Sequence, residues 1–221
     1  MTRDTSRDDS LQSLLRGVEE FSQKVFPESR QLFSKLSDSQ APHTLFITCA
    51  DSRVVPEMIT QTQPGELFVC RNIGNIVPGY GEMLGGVSAV VEYAVMVLRV
   101  RNVVVCGHTD CGAMKGLLNP NSTKDLPTVE AWLRNAQAAK SAMFTRNLEG
   151  NEAVVALVEE NIRLQLMHLR THPAVAAALA NKALNLQGWI YGIGDGQVMV
   201  LDEQLNRFVP LTEAIQRDQG N

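Results

Sequence analysis

Two short stretches of the sequence hold most of its reactive side chains. The first, CADSR, combines Cys49, Asp51 and Arg53 within five residues. The second, GHTDCG, holds His108 and Cys111 three residues apart. Thiolate sulfur and imidazole nitrogen are the donors that zinc prefers in proteins. Together the two stretches therefore offer a set of three zinc donors: Cys49, His108 and Cys111.

Asp51 and Arg53 allow two interpretations. An aspartate two residues before an arginine can form an ordinary ion pair in a turn, and such exposed pairs contribute less than about 1 kcal/mol. Alternatively, the planar guanidinium holds the carboxylate with two hydrogen bonds, which keeps Asp51 ionised and turned away from a metal. Asp51 is then able to accept a hydrogen bond from a zinc-bound hydroxide, a nucleophile available near neutral pH. The nearby zinc donors favour this second interpretation.

The reactive stretches lie at the ends of predicted strands. HTLFITC (43–49) and NVVVCGH (102–108) are short apolar runs typical of buried strands, and LFVCRN (67–72) is a third. Helical patterns between them, at 54–62 and 85–100, predict βαβ units and a parallel sheet. Ligands bind at the carboxyl edge of such sheets. The fold therefore brings the end of the first strand close to the end of the third.

The remaining pattern predicts a single α/β domain. Helices are expected over about 11–26, 128–145, 152–170 and 172–182, and the chain finishes with a hairpin across 184–203. The predicted sheet has about four parallel strands plus an antiparallel edge strand, flanked by helices. We expect a flexible arm at 1–10, N-terminal helices at 11–36 and a zinc-binding catalytic region at 37–221.

Composition excludes several classes of function. The 221 residues carry a net charge of −4, so no basic surface for nucleic acid or anionic membranes is predicted. No apolar run reaches the roughly 18–20 residues that span a bilayer. The polar N-terminus does not resemble an export signal, so a cytoplasmic protein with reduced thiols is expected. Outside the two stretches, Cys70 and Cys106 are expected to be buried apolar residues. His43, His168 and His172 are expected to be solvated or capping residues.

Four segments in combination resemble the β-class carbonic anhydrases. They are CADSRVVPEMI, PGELFVCRNIGN, GGVSAVVEYAV and VVCGHTDCGAMKG, and the resemblance extends from about residue 40 to the predicted hairpin. It implies one zinc ion per chain, bound by Cys49, His108 and Cys111, with Asp51 and Arg53 as a catalytic dyad. It also implies that the backbone N–H of Gly112 donates a hydrogen bond to bicarbonate. Phe68, Ile73 and Tyr93 are the residues that it implies for an apolar CO₂ pocket.

Two positions before Cys49 indicate the branch of that family. One subgroup has tryptophan three residues before this cysteine, where the sequence has Phe46. The other has glutamine nine residues before it, donating a hydrogen bond to the substrate anion, and the sequence has Gln40 there. The sequence therefore resembles a bacterial member of the plant-type branch. Homo-oligomers built from dimers, with N-terminal helices embracing the partner, are implied as well.

The implied reaction is the reversible hydration of CO₂ to bicarbonate and a proton by zinc hydroxide. One alternative keeps the same site and hydrolyses a linear CO₂ analogue, COS or CS₂. Another is a zinc-stabilised scaffold protein without turnover. The pairing of Asp51 with Arg53 argues against the scaffold, because a purely structural zinc site needs no oriented hydroxide.

Overall fold

The N-terminal helices form a compact unit of their own. The computed structural model describes residues 5–82, 85–143 and 146–218, and the chain divides into one compact unit that ends at Gln40 and a second that begins at Ala41. The first unit contains α1 (Thr5–Glu20) and α2 (Arg30–Leu36), joined by further helical turns. Helix α1 thus begins before residue 11, within the predicted flexible arm, of which residues 1–4 lie outside the described ranges.

The second unit is built on one six-stranded sheet. Its strands are β1 (Thr44–Cys49), β2 (Leu67–Asn72), β3 (Asn102–His108), β4 (Asn185–Tyr191), β5 (Val198–Asp202) and β6 (Arg207–Pro210). The strand order is β2-β1-β3-β4-β5-β6. The first four strands are parallel, and β5 and β6 are antiparallel to their neighbours. The mostly parallel sheet and the β4–β5 hairpin are therefore confirmed, whereas β6 was not predicted.

Helices flank the sheet. They are α3 (Pro56–Thr60), α4 (Gly86–Glu92), α5 (Gly112–Leu118), α6 (Pro127–Leu133), α7 (Gln137–Met143), α8 (Gly150–Thr171), α9 (Pro173–Ala180) and α10 (Leu211–Asp218). The helix predicted at 128–145 is two, because a 3-10 turn at Arg134–Ala136 separates α6 from α7, and its last two residues lie outside the described ranges. In the described ranges, no helix combines the length and apolarity needed to cross a membrane.

Helix α8 packs very closely on the centre of the sheet. All six residues of β1 are buried, as expected of a parallel strand that is covered on both faces of the sheet. On β3 and β4, Gly107 and Gly188 face α8, and a β-carbon added to them would lie 2.9 and 2.7 Å from side-chain atoms of Ile162. These glycines therefore let α8 approach the two strands more closely than any larger residue would allow.

Candidate metal centre and active site

The three predicted zinc donors lie together at the carboxyl edge of the sheet. Cys49 and His108 are the last residues of the neighbouring parallel strands β1 and β3, and Cys111 directly precedes α5. Their ligand atoms all lie within 4.8 Å of one another, and all three residues are buried. The strand ends thus assemble a group that could hold a metal ion.

The bonding of His108 and Cys49 fits a metal. The His108 ring Nδ1 lies 2.8 Å from the Thr109 carbonyl oxygen, to which it donates as the protonated nitrogen. The other ring nitrogen, Nε2, is buried and has no hydrogen-bond partner in the part of the chain that the structure describes. An unpartnered buried nitrogen is costly, and a metal would satisfy it. The Gly74 backbone N–H donates to the Cys49 sulfur over 3.4 Å, which suits a thiolate ligand.

The donors influence one another's protonation. A hydrogen bond from the Cys111 thiol, helped by His108 and the Gly74 N–H, lowers the pKa of Cys49 despite burial. The same pairing, together with burial, raises the pKa of Cys111. Burial opposes a charge on His108, but the Cys49 thiolate and the Thr109 carbonyl outweigh burial and raise the pKa of His108. The pairing of the two cysteines therefore favours the thiolate form of Cys49 over that of Cys111.

Asp51 and Arg53 form the bidentate pair that the sequence suggests. Arg53 Nε donates to Asp51 Oδ1 over 2.9 Å and Nη2 donates to Oδ2 over 2.8 Å, while the Arg53 backbone N–H adds a third bond of 3.0 Å to Oδ1. These hydrogen bonds hold the pKa of Asp51 well below its usual range. Asp51 Oδ2 also lies 3.9 Å from His108 Nε2. An ionised carboxylate therefore borders the metal-binding group.

Arg71 supports the backbone of the same loop. Its Nε donates to the carbonyl oxygen of Cys49 over 3.2 Å, and its Nη2 donates to the carbonyl oxygen of Asp51 over 2.5 Å. The sequence alone does not predict this role of Arg71. Its place at the end of β2, beside β1, is the signal that leads to these contacts once the strand order is known.

Asp110 is the second contributor that sequence reasoning missed. It lies between His108 and Cys111 with a φ of 61°. Its Oδ2 accepts a hydrogen bond of 3.1 Å from Arg53 Nη1, and its Oδ1 pairs with the Lys115 ammonium. The position of Asp110 between His108 and Cys111 was a usable signal, but nothing local identifies Arg53 as its partner.

A buried polar network connects α8 to the Cys49 sulfur. Asn161 Nδ2 donates to the Gly74 carbonyl oxygen over 3.0 Å, and Gln165 Nε2 donates to Asn161 Oδ1 over 2.8 Å. Gln165 Oε1 in turn accepts from the Val77 N–H over 2.9 Å. Helix α8 thereby fixes the segment whose Gly74 N–H reaches Cys49.

His168 and His172 add further contacts between the end of α8 and the segment that follows Gly74. His168 Nδ1 lies 2.7 Å from the Val77 carbonyl oxygen, and His172 Nε2 lies 3.0 Å from that of Pro78. His172 is buried at the junction of α8 and α9, so it occupies a helix end as expected but is not solvated.

The predicted substrate-binding residues are spread over several elements. The rings of Phe68 and Tyr93 lie with their centroids 6.0 Å apart. Tyr93 and Ile73 keep 45% and 43% of their surfaces exposed, so both are able to meet a ligand. Gly112 is the exposed first residue of α5, next to the metal-binding group. Gln40 is exposed and ends the N-terminal unit.

Cys70 and Cys106 behave as the predicted buried thiols. Both are free and buried. Burial raises the pKa of both and brings that of Cys106 to about 12. They stay protonated at neutral pH and do not belong to the metal-binding group.

A family model described as carbonic anhydrase matches residues 44–198, from the first residue of β1 to the first residue of β5. The chain belongs to the carbonic anhydrases. It is 51% identical over 205 residues to a carbonic anhydrase of Pseudomonas aeruginosa, covering 92% of this chain and 93% of the relative. The predicted family and its enzymatic nature are thereby confirmed.

Solved structures identify the β class of carbonic anhydrases. The fold matches the β-carbonic anhydrase CcaA with a TM-score of 0.89 and 44% identity, covering 91% of this chain and 99% of that one. It also matches a structure described as one of two tetrameric β-carbonic anhydrases from Sordaria macrospora, with a TM-score of 0.79 and 28% identity over 87% of this chain and 97% of that one.

Proposed function

We propose that this carbonic anhydrase is zinc-dependent and hydrates CO₂ reversibly to bicarbonate and a proton. The observation that carries the proposal is the group of Cys49, His108 and Cys111 beside an ionised Asp51. Two thiolates and one imidazole suit zinc, and a site with three protein donors is typical of catalytic rather than structural zinc. The described residues form one such group, which corresponds to one ion per chain.

Zinc bound there would supply Lewis-acid activation of water, lowering the pKa of that water towards neutrality. Asp51 accepts a hydrogen bond from the attacking oxygen and turns a lone pair of that oxygen towards CO₂. Arg53 keeps Asp51 ionised, because its two side-chain hydrogen bonds stabilise the carboxylate. Arg53 also holds both carboxylate oxygens, so Asp51 stays turned towards the guanidinium and does not become a fourth donor.

The substrate-binding assignments follow from the family likeness and from local chemistry. Phe68, Ile73 and Tyr93 form the apolar surface for CO₂, a small molecule without charge. The Gly112 N–H, at the start of α5, and the Gln40 amide donate hydrogen bonds to the developing bicarbonate. Donors aimed at the place where charge develops stabilise a transition state more than the ground state. Gln40, together with Phe46, is also why we assign the chain to the plant-type branch.

A linear CO₂ analogue such as COS or CS₂ is the alternative substrate, because the same donors and dyad would serve its hydrolysis. A zinc-stabilised scaffold without turnover is the third candidate. The intact pair of Asp51 and Arg53 favours an enzyme, since a structural site has no use for a carboxylate held beside the metal.

Stopped-flow CO₂ hydration by the wild type and by Asp51→Asn tests the proposal, with zinc content measured for each. We expect a zinc-loaded active wild type and a mutant with zinc but about 100-fold lower kcat/KM, as is usual when a positioned polar group is removed. Full activity in the mutant would contradict the role of Asp51. An inactive wild type with bound zinc would favour the scaffold, and turnover of COS or CS₂ alone would favour the alternative substrate.

We also propose a cytoplasmic homo-oligomer built from dimers. The tetrameric Sordaria macrospora relatives support the assembly. In α1, Leu11, Leu14, Leu15 and Val18 expose more than half of their surfaces. We assign residues 1–10 as an arm, 11–36 as the helices that embrace a partner, and 37–221 as the catalytic region. Light scattering of the full chain and of a variant lacking residues 1–36 tests this organisation, and an unchanged mass per particle would contradict it.

A further inference from the structure

We propose that Asp110 is a positioning residue for the reaction. It fixes the Arg53 guanidinium from a second edge and thereby holds Asp51 in its working orientation. The assignment deepens the proposed function and rests on it, because it gives Asp110 a role only if Asp51 orients the attacking oxygen.

The hydrogen bonds of Arg53 are divided between two carboxylates. Nε and Nη2 form one edge of the planar guanidinium, and both donate to Asp51. Nη1 lies on a different edge and donates to Asp110 Oδ2 over 3.1 Å. A bidentate pair on its own can still swing as a unit about the flexible arginine side chain. The bond to Asp110 removes that freedom, so the direction of the Asp51 carboxylate becomes defined.

Asp110 is itself held on its other side. Its second carboxylate oxygen pairs with the Lys115 ammonium, in α5. Lys115, Asp110, Arg53 and Asp51 therefore form a row of alternating charges from α5 to the loop after β1. A row of this kind costs less side-chain entropy per pair than isolated pairs, because each inner side chain is already fixed by one neighbour.

The backbone of Asp110 adds an independent observation. Asp110 has a φ of 61°, a left-handed conformation that few residues other than glycine, asparagine and aspartate adopt. This conformation lies in the turn between His108 and Cys111. The carboxylate that holds Arg53 thus belongs to the same turn as His108 and Cys111, so it links the position of the dyad to that of two proposed metal donors.

The exposure of these side chains indicates that Asp110 affects the orientation of Asp51 rather than the stability of the fold. The side chains of Arg53, Asp110 and Lys115 are 45%, 50% and 50% exposed. Pairs this exposed contribute little to folding. Loss of Asp110 is therefore expected to reduce turnover while the chain remains folded and loaded with zinc.

Asp110→Gly tests the assignment, because glycine accepts the left-handed backbone and removes the carboxylate. We expect kcat/KM for CO₂ hydration to fall about fivefold with unchanged zinc content, the size of one exposed charged contact. Asp110→Asn should recover part of the loss, since asparagine also accepts this backbone and offers one acceptor oxygen. Glu203→Gln, which breaks the similarly exposed pair with Arg170, is the matched control and should leave the rate unchanged.

A double-mutant cycle separates positioning through Arg53 from a general structural effect. In an Arg53→Gln background, Asp110→Gly should cause no further loss of kcat/KM, because the two residues act through one contact.

NMR of the zinc-loaded protein measures the orientation of Arg53 directly. The Arg53 Nε–H signal is assigned by its absence in Arg53→Gln. In Asp110→Gly this signal should broaden or double, because the guanidinium is no longer held by Asp110.

Three results would overturn the assignment: full activity in Asp110→Gly, the same fivefold loss in both backgrounds, or an unchanged Arg53 signal. A zinc-loaded wild type without CO₂ hydration would be a different failure, since it overturns the proposed function and this assignment with it.

Discussion

Replacing Gln165 by leucine tests whether α8 fixes the segment next to Cys49. Gln165 is completely buried; its side chain bonds to the Val77 N–H and to Asn161 Oδ1, and its Oε1 also lies 3.3 Å from His168 Nδ1. Gln165→Leu keeps a similar volume but leaves both of those groups buried without their partner. Each such group costs about 1–3 kcal/mol. We therefore expect the free energy of unfolding to fall by about 2–6 kcal/mol, which exceeds the effect of a typical surface substitution.

Urea unfolding of the zinc-loaded protein, at one fixed protein concentration, measures this loss. Met167→Leu is the matched control, because Met167 lies two residues further along the same helix and is 60% exposed. It should change the free energy of unfolding by less than about 0.5 kcal/mol. Chelator competition supplies a second measurement, and we expect Gln165→Leu to bind zinc at least about tenfold more weakly, as is usual for lost supporting contacts.

A loss below about 1 kcal/mol in Gln165→Leu, with an unchanged denaturant dependence, would refute this reasoning. It would mean that the Val77 N–H and Asn161 find other partners, so that the network does not hold the segment. Unchanged zinc affinity alongside a large loss of stability would refute only the link to Cys49.

Three further predictions follow from the packing and the protonation of the site. Gly188→Ala should destabilise the protein by about 1–3 kcal/mol in urea unfolding, because the added carbon would lie 2.7 Å from Ile162; an unchanged midpoint would contradict the close packing of α8. After zinc removal by a chelator, iodoacetamide should modify Cys49 before Cys106, since the pKa of Cys49 is lowered and that of Cys106 is raised to about 12; mass spectrometry of peptides gives the order. Because Arg53 lowers the pKa of Asp51 below its unfolded value of 3.8, ionised Asp51 should contribute stability fully above about pH 4 and progressively less as the pH falls further. The stability difference between the wild type and Asp51→Asn should therefore be constant from pH 7 to about 5 and shrink below pH 4, and a difference that grew on acidification would have the wrong sign.

The sequence predicts that Cys49, His108 and Cys111 lie close together, because the strands that carry them are recognisable from local patterns. The apolar runs that end at Cys49 and His108 identify two strands, and helices between strands require parallel pairing. Parallel neighbours align their carboxyl ends, so the donors meet without knowledge of any side-chain contact. Asp51 and Arg53 are likewise only two residues apart, and their chemistry suggests the bidentate bond.

The supporting contacts could not be predicted because they join distant parts of the chain. Asp110 and Arg53 are separated by 57 positions, and Asn161 lies 87 positions from its partner Gly74. Neither pair has a periodic pattern or a motif of its own. Strand β6 was missed for another reason: its four residues are too few for alternation to distinguish a strand from a loop.

The division of the site between early and late parts of the chain has a consequence for biosynthesis. The three proposed metal donors lie within the first 111 residues, whereas the network that fixes Gly74 comes from α8, which begins at Gly150. At roughly 5–20 residues per second, the ribosome needs a few seconds to add the intervening segment. During that time, β1 and β3 are able to pair, since β4 joins the other side of β3. We therefore expect zinc to be captured by the growing chain, where it would protect two neighbouring thiols from oxidation before α8 is complete.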